Sequence, residues 1–110
     1  MAYNIIVTAH FDKKAKPLLK KYRSLKSEIA TLIDELAENP TKGDRITTDC
    51  YKIRMSIASK GKGKSGGARI ITCVKVENEN VFLLSIYDKS EQSDISDNDL
   101  GDILNAYDLM

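Results

Sequence analysis

The first half of the chain combines one short apolar run with two stretches of helical spacing. The run Asn4–Ala9 is rich in β-branched residues, which predicts a strand. A helix is then predicted near Asp12–Tyr22, where Pro17 is tolerable in a first turn and kinks the helix if it begins earlier. A second helix is predicted to follow Ser24 as its N-cap and to end at Asn39-Pro40. Its apolar residues recur on one face at Leu25, Ile29, Leu32, Ile33 and Leu36.

The second half changes to the alternation of a β-sheet. After a loop over Thr41–Thr48, strands are predicted at Tyr51–Ile57, Arg69–Val76 and Val81–Tyr87. A turn over residues 77–80 joins the last two strands, so the three form an antiparallel meander. In the first of these strands, Tyr51, Ile53, Met55 and Ile57 are expected to face the core. The polar positions of that strand are expected to face outward: Lys52, Arg54 and Ser56.

A short helix closes the chain. Ser96 is its predicted N-cap, with Asp99 three residues later, and Ile95 is positioned to pack on Leu100. The apolar face of this helix consists of Leu100, Ile103, Leu104 and Tyr107. These elements predict one α+β domain over residues 1–110: an N-terminal strand, a helical hairpin, a three-stranded antiparallel meander and a short C-terminal helix.

Charge is divided unevenly along the chain, although the formal net charge is only +1. Residues 42–75 carry nine Lys/Arg against two Asp/Glu, whereas residues 76–110 carry one against nine. The basic segment therefore suits a polyanion, and the acidic segment suits a solvated or repelling face. The alternative is that both segments are ordinary solvated surface.

The cysteine pattern and the hydropathy narrow the setting of the protein. Cys50 and Cys73 fall within or beside predicted strands and lack the spacing of a metal site or a disulfide framework, so we expect sheet or core residues in a reducing compartment. No stretch approaches the ~18 apolar residues of a membrane span, and the N-terminus lacks a signal peptide pattern. We expect a soluble, cytoplasmic protein with no membrane partner.

The stretch SKGKGKSGGAR, residues 59–69, is the most unusual in the chain. Read as a P-loop, it would place the first glycine on Ala58, and a strand rather than a helix follows it. We therefore expect no nucleotide cofactor. Two interpretations remain: a flexible hairpin with solvated lysines, and a cationic patch for a nucleic-acid backbone.

Five short strings stand in a characteristic order: KKYRSLK at residues 20–26, LAENP at 36–40, YKIRM at 51–55, GGARII at 66–71 and LSIYDKSE at 84–91. Together with the order of predicted elements, they resemble the RelE/ParE superfamily of type II toxin–antitoxin toxins, and the RelE/HigB-like branch in particular. The resemblance covers residues from about 3 to about 104.

The resemblance implies an mRNA endonuclease that acts in the ribosomal A site and is neutralised by a cognate antitoxin. Its chemistry uses no cofactor and no metal: the RNA 2′-OH attacks the adjacent phosphate, which requires a base, cationic donors and an acid for the leaving 5′-oxygen. By resemblance, Arg54 and Arg69 grip the scissile phosphate, and Tyr87 and Lys89 match catalytic positions. Arginine suits the first role because it keeps its charge and donates two parallel hydrogen bonds.

Several assignments within the site stay open at the level of sequence. A lysine among other cations loses part of its charge, so Lys89, Lys62 or Lys64 can act on the 2′-OH. Tyr87 can stack on a base or pass a proton. The single histidine, His10, is expected at the end of the first strand, away from these residues, so no catalytic histidine is carried over from the HigB-like relatives.

Four lysines of the basic segment are expected to bind RNA or the ribosome. Lys60, Lys62 and Lys64 are spaced by single glycines, so their charges can follow a polyphosphate but are not held with the tolerance that proton transfer requires. The residues in this group are Lys52, Lys60, Lys62 and Lys64.

Two other functions fit the same resemblance: a ParE-type inhibitor of DNA gyrase, and a noncatalytic RNA-binding module. The basic residues on the predicted meander favour the endonuclease over the gyrase inhibitor. An antitoxin is expected to cover the meander with acidic or amphipathic segments, or to displace the C-terminal helix.

Overall fold

A five-stranded sheet with helices on both faces forms the fold of this protein in a computed structural model, which describes residues 2–61, 63 and 66–110. The predicted α+β fold is confirmed, including the N-terminal strand, the helical hairpin, the antiparallel meander and the C-terminal helix. The elements are β1 (Asn4–Val7), α1 (Ala9–Lys21), α2 (Leu25–Glu38), β2 (Asp44–Thr47), β3 (Cys50–Met55), β4 (Ala68–Lys75), β5 (Asn80–Asp88) and α3 (Asp97–Ala106).

The strands lie in the order β1-β5-β4-β3-β2. The predicted meander β3-β4-β5 forms the centre of the sheet with antiparallel pairing. β1 is parallel to β5 and pairs only with its first half, from Asn80 to Leu83. The second half of β5, which carries Tyr87, therefore has no strand on its outer side among the described residues.

The edge strand β2 corrects the sequence prediction, which assigned a loop to Thr41–Thr48. Residues Asp44–Thr47 pair antiparallel with β3, with an irregular register between Arg45 and Thr47. This strand has only one apolar residue, Ile46, so it lacks the alternating apolar pattern that marks a strand in sequence.

Helix α1 begins three residues earlier than predicted. Thr8 caps it, because its Oγ1 accepts a hydrogen bond from the amide of Phe11 at 3.1 Å. Pro17 consequently lies well inside the helix rather than in its first turn, and it removes the amide donor for the carbonyl of Lys13. His10 lies in the first turn of α1, and the prediction that it ends the first strand is wrong.

The other two helices begin and end close to their predicted limits. Ser24 does precede α2, but its side chain caps no amide of that helix; its Oγ donates to Glu28 at 3.0 Å. For α3 the predicted cap is confirmed, since the Oγ of Ser96 accepts from the amide of Asp99 at 3.1 Å.

Two apolar cores lie on opposite faces of the sheet. α1 and α2 pack against one face around Leu25, Leu36 and Ile70, and α3 packs against the other around Ile71 and Leu84. Strands β4 and β5 are buried on both faces. Cys50 and Cys73 are free cysteines that lie directly opposite each other in the α3 core, as expected of sheet residues.

Candidate functional site

Three of the predicted site residues form a row across the sheet. Arg54 of β3 lies directly opposite Arg69 of β4, and Arg69 lies directly opposite Tyr87 of β5. Residues directly opposite each other in antiparallel strands share one face of the sheet. This row lies on the α3 face, because Tyr87 packs in the core beneath α3. The strand register thus brings together residues that the sequence analysis could place only on separate strands.

The two arginines of the row differ in exposure. Arg54 is exposed, whereas Arg69 is only 6% exposed and its Nη1 donates to the carbonyl of Ala68 at 3.2 Å. Like charges directly opposite each other in a sheet are destabilising. An anion bound beside both guanidinium groups would lower this repulsion.

Lys52 lies two residues before Arg54 on β3 and therefore on the same face of the sheet. Its Nζ is 3.0 Å from Oδ1 of Asp94, in the connection between β5 and α3. The hydrogen bond from Lys52 is the main cause that lowers the pKa of Asp94, so this carboxylate stays ionised at neutral pH. The candidate RNA-binding cation Lys52 is therefore paired with an internal anion.

Tyr87 contacts the same carboxylate. Its hydroxyl donates to Oδ1 of Asp94 at 3.3 Å, and its ring is buried, with 5% of the residue exposed. Burial, followed by the negative charge of Asp94, raises the pKa of Tyr87 to about 12. Tyr87 is therefore a proton donor rather than a base at neutral pH. In this conformation its ring is not exposed for stacking on a nucleobase.

Lys89 follows the end of β5 and turns toward the same connection. Its Nζ donates to the carbonyl of Ser93 at 2.7 Å, and its amide donates to the carbonyl of Gly67 at 3.0 Å. A Cβ at Gly67 would collide with the carbonyl oxygen of Met55, so the close approach of the chains here requires glycine. The backbone contact holds the start of β4 beside Lys89.

Lys60 does not lie where the sequence analysis expected. Its Nζ forms an ion pair with Asp88, and only 9% of its side chain is exposed. The prediction that Lys60 is a mobile docking charge is therefore wrong. Lys62 and Lys64, the other two lysines of the glycine-lysine stretch, lie outside the described residues.

The partner of Lys60 is the centre of a buried polar cluster. The side chain of Asp88 is fully buried and accepts from Tyr22 Oη at 2.6 Å and from Ser90 Oγ at 2.7 Å. Burial alone would raise the pKa of Asp88, but the hydrogen bonds from Lys60, Tyr22 and Ser90 outweigh it and hold the pKa far below its usual range. This cluster faces α1 and α2 rather than the arginine row.

The short helical turn that carries Lys60 is held by the start of α2. The amide of Ser59 donates to Ser24 Oγ at 2.9 Å, and the amide of Ala58 donates to Glu28 Oε2 at 2.8 Å. With the Asp88 pair, these contacts fasten the glycine-lysine stretch to the body of the protein at its first residues.

His10 lies apart from the arginine row. It borders a groove of about 290 Å³ between α1 and α3, together with Lys14, Ser85 and Asp99, and none of the four predicted catalytic residues lines this groove. Burial, followed by the charges of Lys14 and Lys13, lowers the pKa of His10.

Two acidic residues with lysine partners were not predicted: Asp94 at the arginine row and Asp88 on the opposite face of the sheet. Both belong to the segment that was read as a solvated acidic face. No local pattern marks them, because their lysine partners lie 28 and 42 positions away.

Residues 2–61, 63 and 66–110 contain no group of three or more His, Cys, Asp or Glu that could hold a metal ion. No helix among them is both long enough and apolar enough to cross a bilayer.

Comparison with known proteins identifies a family. A family model described as the RelE toxin of the RelE/RelB toxin–antitoxin system matches residues 4–107. The fold is similar to that of a double-arginine mutant of E. coli RelE in the free state, with a TM-score of 0.59 and 22% sequence identity over 84% of this chain and 90% of that one. Isolated E. coli RelE gives a TM-score of 0.57 at 20% identity, over 96% of this chain and 99% of that one.

A third similar structure contains a partner. The intact E. coli RelBE toxin–antitoxin complex matches with a TM-score of 0.53 and 22% identity, over 79% of this chain and 96% of the matched one. At these identities the structural matches show a shared fold.

Proposed function

Since this chain belongs to the RelE toxin family of toxin–antitoxin systems, we propose that it is an endoribonuclease that cuts mRNA on the ribosome and so inhibits translation. The observation that carries the proposal is the row Arg54-Arg69-Tyr87, in which two cations lie directly opposite each other on one face of the sheet. A phosphodiester is the anion that this row would bind, in the cytoplasm where ribosomes and mRNA are found.

The reaction proposed here begins with attack of the RNA 2′-oxygen on the adjacent phosphorus. The bond from phosphorus to the 5′-oxygen then breaks, leaving a 2′,3′-cyclic phosphate and a 5′-hydroxyl. Arg54 and Arg69 stabilise the negative charge that develops on the phosphate oxygens. Tyr87 stays protonated near neutral pH because its pKa is raised, and it passes its proton to the leaving 5′-oxygen. The base that takes the 2′-OH proton is assigned to Lys89, since Lys62 and Lys64 are assigned to docking.

Ribosome docking is assigned to Lys62, Lys64 and, after release of its internal partner, Lys52. Lys60 is removed from this role because it is paired with Asp88 in the interior. The docking contacts are electrostatic and sensitive to salt.

A cognate antitoxin is the proposed protein partner, by analogy with the RelBE complex of E. coli. The acidic α3 and the basic row lie on the same side of the sheet, so an antitoxin segment that covers the row would also meet α3. Displacement of α3 would expose the apolar residues Leu100, Ile103 and Leu104, which an amphipathic partner helix could cover.

The test is to add the purified protein to translating ribosomes and map the 5′ ends of the mRNA. Cuts at a fixed position relative to the codon in the A site support the endonuclease. Inhibition of supercoiling without mRNA cuts would identify a gyrase inhibitor instead, and RNA binding without either effect would identify a noncatalytic module. The matched variants are Arg54→Ala and Arg69→Ala, described below.

A further inference from the structure

The connection between β5 and α3, residues 89–96, accepts hydrogen bonds from three side-chain donors of the candidate site. Oδ1 of Asp94 accepts from Lys52 Nζ at 3.0 Å and from Tyr87 Oη at 3.3 Å. The neighbouring carbonyl of Ser93 accepts from Lys89 Nζ at 2.7 Å. All three donors belong to residues that the proposed function assigns to RNA.

Asp94 is also held by hydrogen bonds from residues of the same connection. The amide of Ile95 donates to Oδ1 of Asp94 at 2.8 Å, and Gln92 Nε2 donates to the backbone carbonyl of Asp94 at 2.9 Å. The carboxylate nevertheless remains open to solvent, since 61% of the Asp94 side chain is exposed against 24% of the Lys52 side chain. A ligand can reach this contact without disturbing either core.

A carboxylate and a phosphate compete for the same donors. Both are anions with oxygens that accept charge-assisted hydrogen bonds from lysine and hydrogen bonds from a phenol. An exposed ion pair is weak, because each charge is well solvated when the pair opens. An RNA backbone that also meets Arg54 can therefore replace a single exposed carboxylate.

We propose that Asp94 is an internal competitor of RNA: its carboxylate occupies the phosphate position formed by Lys52 Nζ and Tyr87 Oη, and an RNA phosphate binds there by displacing it. The inference rests on the proposed function, since it takes RNA as the ligand. Displacement of Asp94 also moves Ser93 and so releases Lys89, because the two accepting residues are adjacent. Binding of one phosphate thereby frees a candidate catalytic lysine.

The experiment uses Asp94→Asn, which keeps the size of the side chain and removes its charge. The matched control is Asp102→Asn, which makes the same change of net charge at an exposed residue of α3 whose side chain has no hydrogen bond or ion pair in the described part of the chain. The probe is a single-stranded 2′-O-methyl oligoribonucleotide, which cannot be cleaved by 2′-OH attack. Binding is measured by fluorescence anisotropy over a range of salt concentrations.

We expect Asp94→Asn to bind the probe about two- to fivefold more tightly than the wild type, the range that corresponds to an exposed ion pair. Asp102→Asn should change the affinity less, through the general charge effect alone. Equal affinities of the two variants would overturn the inference, and so would the absence of probe binding by both.

A second measurement follows the carboxyl carbon of Asp94 by NMR in the wild-type protein. Saturating probe should raise the pKa of Asp94, because the carboxylate loses Lys52 and gains a phosphate nearby. An unchanged pKa would mean that the ion pair persists in the complex and that Asp94 is not displaced.

These outcomes are separable from those of the proposed function. Tighter binding by Asp94→Asn together with an absence of mRNA cuts on ribosomes would support the role of Asp94 as a competitor of RNA and exclude the endonuclease. Cuts on ribosomes together with equal binding by the two variants would support the endonuclease and exclude the competitor.

Discussion

Two carboxylates near the end of β5 each hold a lysine, and they differ in burial. The Asp88 side chain is fully buried and Lys60 is 9% exposed, whereas the Asp94 side chain is 61% exposed and Lys52 is 24% exposed. Breaking a buried pair strands a charge in the interior, while breaking an exposed pair returns both charges to water. Similar chemistry therefore serves the fold in one place and leaves a displaceable contact in the other.

The largest expected effect separates the two pairs by stability. Asp88→Asn should lower the free energy of unfolding by about 3–5 kcal/mol, because Lys60 loses its charge partner in the interior. Asp94→Asn should lower it by less than about 1 kcal/mol. Urea denaturation of both variants checks this, with Lys60→Met as a control that leaves Asp88 its bonds from Tyr22 and Ser90. Similar losses of unfolding free energy in Asp88→Asn and Asp94→Asn would contradict the expected effect of burial.

Acid should remove the stability that the buried Asp88 contributes. The pKa of Asp88 is lowered in the fold, so its contribution to stability is present above the unfolded pKa of about 3.9 and is lost as the pH falls below that value. The wild type should lose stability between about pH 5 and pH 2, and Asp88→Asn should show a shallower decline. Urea midpoints measured across this range test the sign. A steeper decline in Asp88→Asn would contradict the assignment of the buried cluster.

The arginine row is tested by its effect on mRNA cleavage. Arg54→Ala should reduce single-turnover mRNA cleavage by about 10²–10³-fold, since a charge-assisted contact to the transition state is worth about 2–4 kcal/mol. Arg69→Ala should reduce it similarly. Because Arg54 is exposed, its variant should keep the unfolding midpoint of the wild type, which shows that lost cleavage is not lost folding. Unchanged cleavage in both variants would remove the row from the active site.

The smallest expected effect concerns the two lysines assigned to docking. Lys62→Ala and Lys64→Ala should each reduce the slope of log affinity against log salt for single-stranded RNA by about 0.7, as each lost phosphate contact does. The cleavage rate at saturating protein should stay near that of the wild type. Binding over a salt series and single-turnover rates separate the two quantities. A large fall in the saturated rate would move one of these lysines into the chemistry.

Local signals predicted those parts of the fold that depend on neighbours in sequence. α3 begins at its predicted cap because Ser96 and Asp99 are three residues apart and bond within one turn. β2 was not predicted because a single apolar residue gives no alternating pattern; its pairing with β3 makes the segment a strand. The start of α1 was misplaced because Thr8 lies within a β-rich run and acts as a cap only through its position above Phe11.

At the candidate site, the sequence identified the cations and missed the carboxylate that contacts them. Alternation predicts the face of Lys52 and Arg54, and the resemblance predicts the role of Arg54 and Arg69. Asp94 and Asp88 belong to an acidic stretch in which every carboxylate looks solvated. The division of that stretch into one buried, one site-facing and several exposed carboxylates depends on the sheet register and on the path of the chain after β5.

The sequence by itself determined the three helices and every strand except β2, their apolar faces, and the excess of positive charge on the meander. These are properties of spacing over a few residues, and hydrophobic burial imposes that spacing on any fold built from them. The tertiary structure alone decided that Lys60 lies inside while Lys52 meets Asp94 at the surface. Each of those pairs joins residues at least 28 positions apart, so its strength depends on distance and solvent exposure that exist only after the sheet has formed.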